Sequence, residues 1–389
     1  MNPESTHSHA SVADMPEQSE RFAGVYKVLQ DAIAEHAFPG CAFGVFAGGT
    51  TVLEDALGRF TYEFDSPPVE RHTVFDVASI TKVVSTTAAA MLLYQRGLLD
   101  LDTPLGELLP GFVVGRYNGK LARLVTLRHL LAHNSGLPRY VEFFRSVATP
   151  AELYRACLEL PIEAVPGERS EYSDPGFILL GKALEVLTRE NLAVWTHKEI
   201  FESLGLTATR FSPPTEQRTL IPPTEIDSTF RHRVIQGEVQ DENAWILNGA
   251  AGHAGLFSNV SDLLRFAGEI LSACDSAERQ NLAPQNQAPL FNRETIECFA
   301  ERQGPEGSSR ALGWDTPSQE SSAGAYFARH SIGHLGFSGC SLWIDLDASV
   351  AAVLLTNRTW PDRQCQLIKE VRPSFHDAIR LALSGGQAL

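Results

Sequence analysis

The sequence predicts an α+β fold of the α/β sandwich type. An antiparallel sheet built from both chain ends is flanked by helices, and an all-helical lobe is inserted between the two halves of the sheet. Three observations point to it. Short β-prone runs occur at 41–64 and again at 311–358. The stretch from 100 to 255 reads instead as helical patches divided by Pro and Gly. Residues 83–93 are an unbroken small and apolar run, the pattern of a helix buried nearly all round.

Each element follows in order. Phe22, Val25, Leu29 and Ile33 repeat at helical spacing and stop at Pro39-Gly40, which predicts an amphipathic helix over 20–36. CAFGVFA (41–47), TVLEDALG (51–58) and RFTYEF (59–64), separated by Gly-Gly and Gly-Arg, read as adjacent antiparallel strands. The middle holds helical patches at 126–138, 150–160, 175–190 and 192–205, then a proline-rich connection from Pro213 to Pro223. Helices at 261–273 and 292–300 precede β-prone ALGWDT, AYFARHSIGHLG, CSLWIDLD and SVAAVLLTNR, and a last helix covers roughly 364–383. This order divides the chain into a flexible tail (1–20), a sheet domain (21–78 and 256–389) and a mainly helical domain (79–255), with a cleft expected at their boundary.

Composition removes several classes of function. With 32 Lys+Arg against 47 Asp+Glu in 389 residues, the net charge of −15 argues against nucleic-acid binding through a basic face. The longest apolar runs are interrupted within about ten residues, short of the roughly 20 a membrane-spanning helix needs. Residues 1–20 have neither the basic start nor the apolar core of a secretory signal, so a cytoplasmic location is expected. Six scattered cysteines show no C-x-x-C and no zinc-ligand spacing, and read as reduced thiols. No metal and no cofactor are expected.

Lysine is scarce, with six in the chain, which gives weight to Ser79-Ile80-Thr81-Lys82. An i, i+3 spacing puts the two side chains on one helix face, with Lys82 in reach of the Ser79 proton. Burial among Val83, Val84 and Ala88 to Ala90 is a setting that lowers a lysine pKa and frees it as a base. A capping serine with a lysine one turn on fits the same four residues. Tyr172-Ser173-Asp174 offers a tyrosine able to share a proton with a lysine. It equally reads as a turn before a helix, with Asp174 as N-cap and Pro175 at the first helical position. His334-Leu335-Gly336 at the opening of a strand can present a cation or donor into a cleft, with a nearby backbone N–H lining an oxyanion hole.

Taken together, in this order, the three sets resemble the serine β-lactamase and penicillin-binding protein superfamily, specifically its class C β-lactamase-like branch of esterases and D-Ala-D-Ala peptidases. The flanking segments TVFDVASITKVVSTTAAAMLLYQRGLLDLDTPL, VTLRHLLAHNSGLP, PGERSEYSDPGFILLG and IFESLGLTATRF are similar to that branch, and the resemblance spans about 20–385. It implies a β-lactamase/transpeptidase-like fold. It further implies Ser79 as acylated nucleophile, Lys82 as partner base, Tyr172 as shared base and acid, and His334 where many relatives carry lysine. The backbone N–H groups of Ser79 and Phe337 would form the oxyanion hole. Gly336, Asn134, Trp314 and the 252–258 loop would line the cleft.

Two departures bear on the substrate. Asp174 stands where asparagine is frequent and cannot donate an amide hydrogen bond; it would hold Lys82 as a cation and push base work toward Tyr172. Leu335 replaces the usual threonine and loses a donor to a substrate carboxylate. The expectation is a serine hydrolase acting through an acyl-enzyme on a small ester or amide. The alternatives are a β-lactamase, a D-Ala-D-Ala carboxypeptidase, or a penicillin-binding sensor without turnover. Gly176 to Lys182 satisfies G-x-x-x-x-G-K, but Ala183 replaces Ser/Thr and the stretch reads as helix, so no nucleotide site is expected. G-x-S-x-G and H-E-x-x-H are absent, and His253 reads as a loop residue rather than a ligand.

Overall fold

The computed structural model describes residues 20–115, 119–274 and 289–385, so the expected N-terminal tail falls almost wholly outside the described residues. Helix α1 (Ala23–Ala34) leads into β1 (Gly40–Ala47) and β2 (Thr50–Gly58). The far end of the chain supplies β8 (Ser331–Leu335), β9 (Ser341–Asp345), β10 (Val350–Thr356) and the last helix, α7 (Ile368–Leu383). The five strands form one antiparallel sheet in the order β2-β1-β10-β9-β8, with Phe43 opposite Leu354 and Val45 opposite Ala352. The sheet is assembled from both ends of the chain, as the strand signals indicate.

Period-two alternation sends the two faces of the sheet into different cores. Cys41, Phe43 and Val45 of β1, with Ala352 and Leu354 of β10, pack under α1 and α7. On the opposite face Ala42, Ala351 and Val353 meet helix α5 (Val260–Cys274). Both faces are covered, which is why β10 reads as a continuous apolar run. Gly44 permits the close approach of α5: a Cβ there would fall 2.6 Å from Val260 Cγ1 and 2.8 Å from Leu264 Cδ1.

Between the two halves of the sheet lie α2 (Ala88–Gln95), α3 (Pro150–Glu159) and α4 (Asp174–Thr188), and α6 (Arg293–Ala300) follows α5. The buried 83–93 run is helical throughout, but its first turns, Lys82–Thr87, are widened to a π-helix before α2 continues. The 176–182 run lies inside α4, with Lys182 paired to Glu185. The middle is mainly rather than wholly helical. It holds β4 (Arg210–Phe211), which with β3 (Phe75–Asp76) flanks β7 (Leu256–Ser258), and a two-stranded ladder of β5 (Glu225–Asp227) and β6 (Arg233–Ile235).

Two strand expectations do not hold. The 59–64 segment is a loop: Gly58 at φ 77° turns the chain, and Phe60 N–H bonds Pro67 O at 2.9 Å instead of a strand neighbour. The 311–316 segment is likewise a turn, closed by Ala311 N–H on Trp314 O at 3.0 Å and touching the sheet through one Asp315 to Gly333 bridge. Among the described residues no helix is long and apolar enough to cross a membrane.

Candidate active site

Ser79 sits on a short 3₁₀ turn (Ala78–Ile80) between β3 and the widened helical turn. The turn is strained, because Ala78 takes φ 47°, a left-handed conformation that disfavours a Cβ. Asp76 holds it. One carboxylate oxygen accepts Ala78 N–H at 2.8 Å and the other accepts Gln240 N–H at 2.7 Å. Burial outweighs these bonds and pushes the Asp76 carboxyl up to about 6.

Lys82, one turn on, is wholly buried and commits all three of its N–H donors. They reach Ser79 Oγ at 3.0 Å, Asp174 Oδ1 at 2.7 Å and the His253 carbonyl at 2.9 Å. Burial is the largest single influence and favours the neutral amine. The Asp174 charge and the Tyr172 contact outweigh it, so the net shift is upward and Lys82 is an ammonium. Of the two expectations for this lysine, a base freed by burial and a cation held by Asp174, the geometry favours the second.

Asp174 reaches Lys82 because of how α4 begins. Ser173, not Asp174, is the N-cap: its Oγ accepts Gly176 N–H at 3.1 Å and donates to Pro138 O at 2.8 Å. Asp174 becomes the first helical residue, and its carboxylate is released toward the lysine. On the other side, Tyr172 donates its phenol O–H to Ser79 Oγ at 2.8 Å. Burial raises the Tyr172 pKa more than Lys82 lowers it, so the phenol keeps its proton at neutral pH. Two cations still flank the ring, Lys82 Nζ at 4.8 Å and Arg310 at 5.3 Å from its centroid, and His133 packs beside it at 4.6 Å.

His334 lies at the end of β8, not at its opening, and faces Tyr172 with ring centroids 6.0 Å apart. Its Nδ1 is 2.8 Å from the Leu335 carbonyl, an acceptor, so that nitrogen carries the hydrogen. Burial, then the charges of Lys82 and Arg310, hold its pKa well below the ordinary value. The ring is neutral, with Nε2 a buried acceptor that has no partner among the described residues. The ring therefore offers a lone pair, where the sequence suggests a cation or a donor.

These residues meet in a cavity of about 880 Å³ lined by Ser79, Tyr172, Asp174, His334, Gly336 and Phe337, with Leu335 and Ala254 also on its wall. The backbone N–H groups of Ser79 and Phe337 donate to no other backbone group among the described residues. Two expected lining residues do not reach the cavity. Asn134 is buried with its amide on Gln303 O at 3.1 Å, and Trp314 is buried against Phe266. From the 252–258 loop the site takes the His253 carbonyl, while the His253 ring bonds Asp241 at 2.9 Å. Sequence reasoning missed His133, Arg310 and Asp76. The first lies in LRHLLAHNSGLP one residue from Asn134, but nothing in its spacing marks it as a partner of Tyr172. Among the described residues no cluster of three or more His, Cys, Asp or Glu is placed to hold a metal.

The sheet, its covering helices and this cleft define a β-lactamase/transpeptidase-like protein. A family model described as Beta-lactamase matches residues 25–370, and the chain belongs to that family. It is 27% identical over 361 residues to an N-acetylmuramyl-L-alanine amidase of Bacillus subtilis (strain 168), covering 82% of this chain and 77% of the relative. A Salmonella typhi protein whose name provisionally assigns it D-alanyl-D-alanine carboxypeptidase activity is 28% identical over 355 residues, covering 82% and 79%. Among solved structures, EstCE1, a hydrolase with promiscuous acyltransferase activity, superposes with a TM-score of 0.70 at 22% identity. That match covers 95% of this chain and 100% of EstCE1.

Proposed function

We propose that the protein is a serine hydrolase that cleaves small esters or amides through an acyl-enzyme, with Ser79 as nucleophile. The observation that carries this reading is the convergence of Lys82 Nζ (3.0 Å) and Tyr172 OH (2.8 Å) on Ser79 Oγ at the wall of the cleft. A binding module has no physical need for two proton-handling groups on one serine. The names of the amidase and carboxypeptidase relatives denote cleavage of an acyl C–N bond, which supports an acyl substrate.

In this mechanism Tyr172 is the base. Lys82, held charged by Asp174, favours the phenolate fraction of Tyr172, which takes the Ser79 proton as Oγ attacks the carbonyl. The backbone N–H groups of Ser79 and Phe337 receive the developing oxyanion. Tyr172 returns the proton to the leaving group, then accepts one from the water that hydrolyses the acyl-enzyme. His334 Nε2 is an acceptor for that water or for a substrate N–H. Leu335 offers no hydroxyl to a substrate carboxylate, so β-lactam or D-Ala-D-Ala turnover is expected to be slow.

A panel of p-nitrophenyl esters and nitrocefin, with intact-mass measurement of wild type and Ser79→Ala, tests the proposal. Expected are ester turnover and a transient adduct in wild type, both absent in the variant. A stable adduct without turnover supports a sensor instead, and no adduct at all defeats both readings.

A further inference from the structure

The turn that follows His334 shows an arrangement the proposed mechanism leaves unexplained. Between Gly336 and Cys340 every carbonyl is occupied. The Gly336 carbonyl accepts Arg372 Nη2 at 2.6 Å and Gly339 N–H at 3.0 Å. The Phe337 carbonyl accepts Arg358 Nε at 2.9 Å, and the Ser338 carbonyl accepts Thr356 Oγ1 at 3.0 Å and Arg358 N–H at 2.9 Å. The Gly339 carbonyl accepts Arg372 Nε at 3.1 Å, and the Cys340 carbonyl accepts Arg372 Nη2 at 2.9 Å and Gly336 N–H at 2.7 Å. Arg372 projects from α7, is almost fully buried, and forms no ion pair among the described residues. Its planar fork is spent on three main-chain oxygens of one turn.

The peptide plane gives this clamp a chemical consequence. In a trans peptide the carbonyl of one residue and the N–H of the next point in opposite directions. Fixing the Gly336 carbonyl on Arg372 therefore directs Phe337 N–H the opposite way, and Phe337 lines the same cleft as Ser79. The same turn is tied to the Ser79 side of the site. Ser338 Oγ donates to Asp76 O at 2.8 Å, and a Cβ on Gly336 would fall 2.5 Å from Val77 O. The two expected oxyanion donors, Ser79 N–H and Phe337 N–H, thus sit on segments packed directly against each other, one of them held through its peptide by a guanidinium.

We infer that Arg372 is a positioning residue for the oxyanion hole, acting through the Gly336–Phe337 peptide and touching no reacting atom. The inference rests on the serine-hydrolase reading. A group with this role changes transition-state stabilisation and not ground-state binding.

The test compares wild type, Arg372→Gln and Arg372→Lys by p-nitrophenyl acetate turnover and by the rate of Ser79 labelling with a fluorophosphonate, read by intact mass. Expected is a fall in kcat of about 100-fold in Arg372→Gln, the size of losing one oxyanion donor, with KM changed less than threefold. Millimolar methylguanidinium should restore part of the loss in Arg372→Gln and nothing in wild type. Arg372→Lys keeps the stem and the charge but not the fork. It should fold, and should fall about tenfold in labelling rate even where Arg372→Gln does not fold. Labelling and turnover in the folded variants equal to wild type, or a loss confined to KM, overturns the inference alone. A wild type that forms no Ser79 adduct overturns both it and the hydrolase reading.

Discussion

Asp174 Oδ1 lies 2.7 Å from Lys82 Nζ, joining a wholly buried ammonium to a carboxylate only 16% exposed across 92 residues of chain. This ion pair decides which group near Ser79 holds a proton. Asp174→Asn removes the charge that outweighs burial, so the Lys82 pKa falls and the amine becomes available as a base. The ascending limb of kcat/KM against pH should move to lower pH in this variant. An unchanged limb would show that Asp174 does not govern the resting proton inventory.

The same pair makes a stability prediction. The folded-state pKa of Lys82 lies above the ordinary lysine value, so the pair stabilises the fold fully below that ordinary value and loses its effect as pH rises through the higher folded one. Asp174→Asn leaves the ammonium without its counter-charge at neutral pH, a cost of about 3 kcal/mol. The lysine escapes this cost by losing its proton, so the deficit in urea-denaturation free energy should be larger at pH 7 than at pH 10.

Tyr172 gives wild type an alkaline limb. Its pKa is raised by burial, so the phenolate that acts as base is a minor species at neutral pH and grows as pH rises. Ester kcat should climb through the alkaline range until the protein unfolds. Tyr172→Phe should lose about 10²- to 10⁴-fold in kcat and flatten that limb.

His334 should contribute no titration near neutrality. Its ring is kept neutral by burial and by the Lys82 and Arg310 charges, with the hydrogen on Nδ1. Nitrogen-15 NMR of the labelled histidine is expected to show a bare Nε2 unchanged between pH 5.5 and 8. A protonated ring at pH 6 would contradict this assignment.

Leu335 is on the cleft wall beside His334. Leu335→Thr restores a hydroxyl donor and should raise the acylation rate of carboxylate-bearing β-lactams, measured with nitrocefin, while leaving acetate ester turnover within a few-fold. An unchanged nitrocefin rate would remove Leu335 from the account of specificity.

How much of this was legible in the chain is clearest from particular residues. Strands β1 and β10 and the cover of α1 and α7 were readable, because apolar periodicity reports which faces are buried whatever they are buried against. The 59–64 segment looked like a strand by composition, yet after Gly58 at φ 77° it makes only an isolated bridge, Arg59 to Pro68, and no ladder. The start of α4 was misplaced by one residue because Ser173 and Asp174 are both good caps. Contacts made by folding, Ser173 Oγ on the Pro138 carbonyl and Ser173 N–H on His133 Nδ1, hold Ser173 in the capping position.

By itself the sequence carried the fold class and the family resemblance, and through that resemblance the expectation that Ser79, Lys82, Tyr172 and His334 act together, because residue order is a one-dimensional property. The tertiary structure decided the protonation of those groups. Asp174 is brought within 2.7 Å of Lys82, the Leu335 carbonyl fixes the hydrogen of His334, and Arg372 holds the Gly336 carbonyl. Charge state and dipole direction depend on burial and on neighbours distant in sequence, and those quantities exist only once the chain has folded.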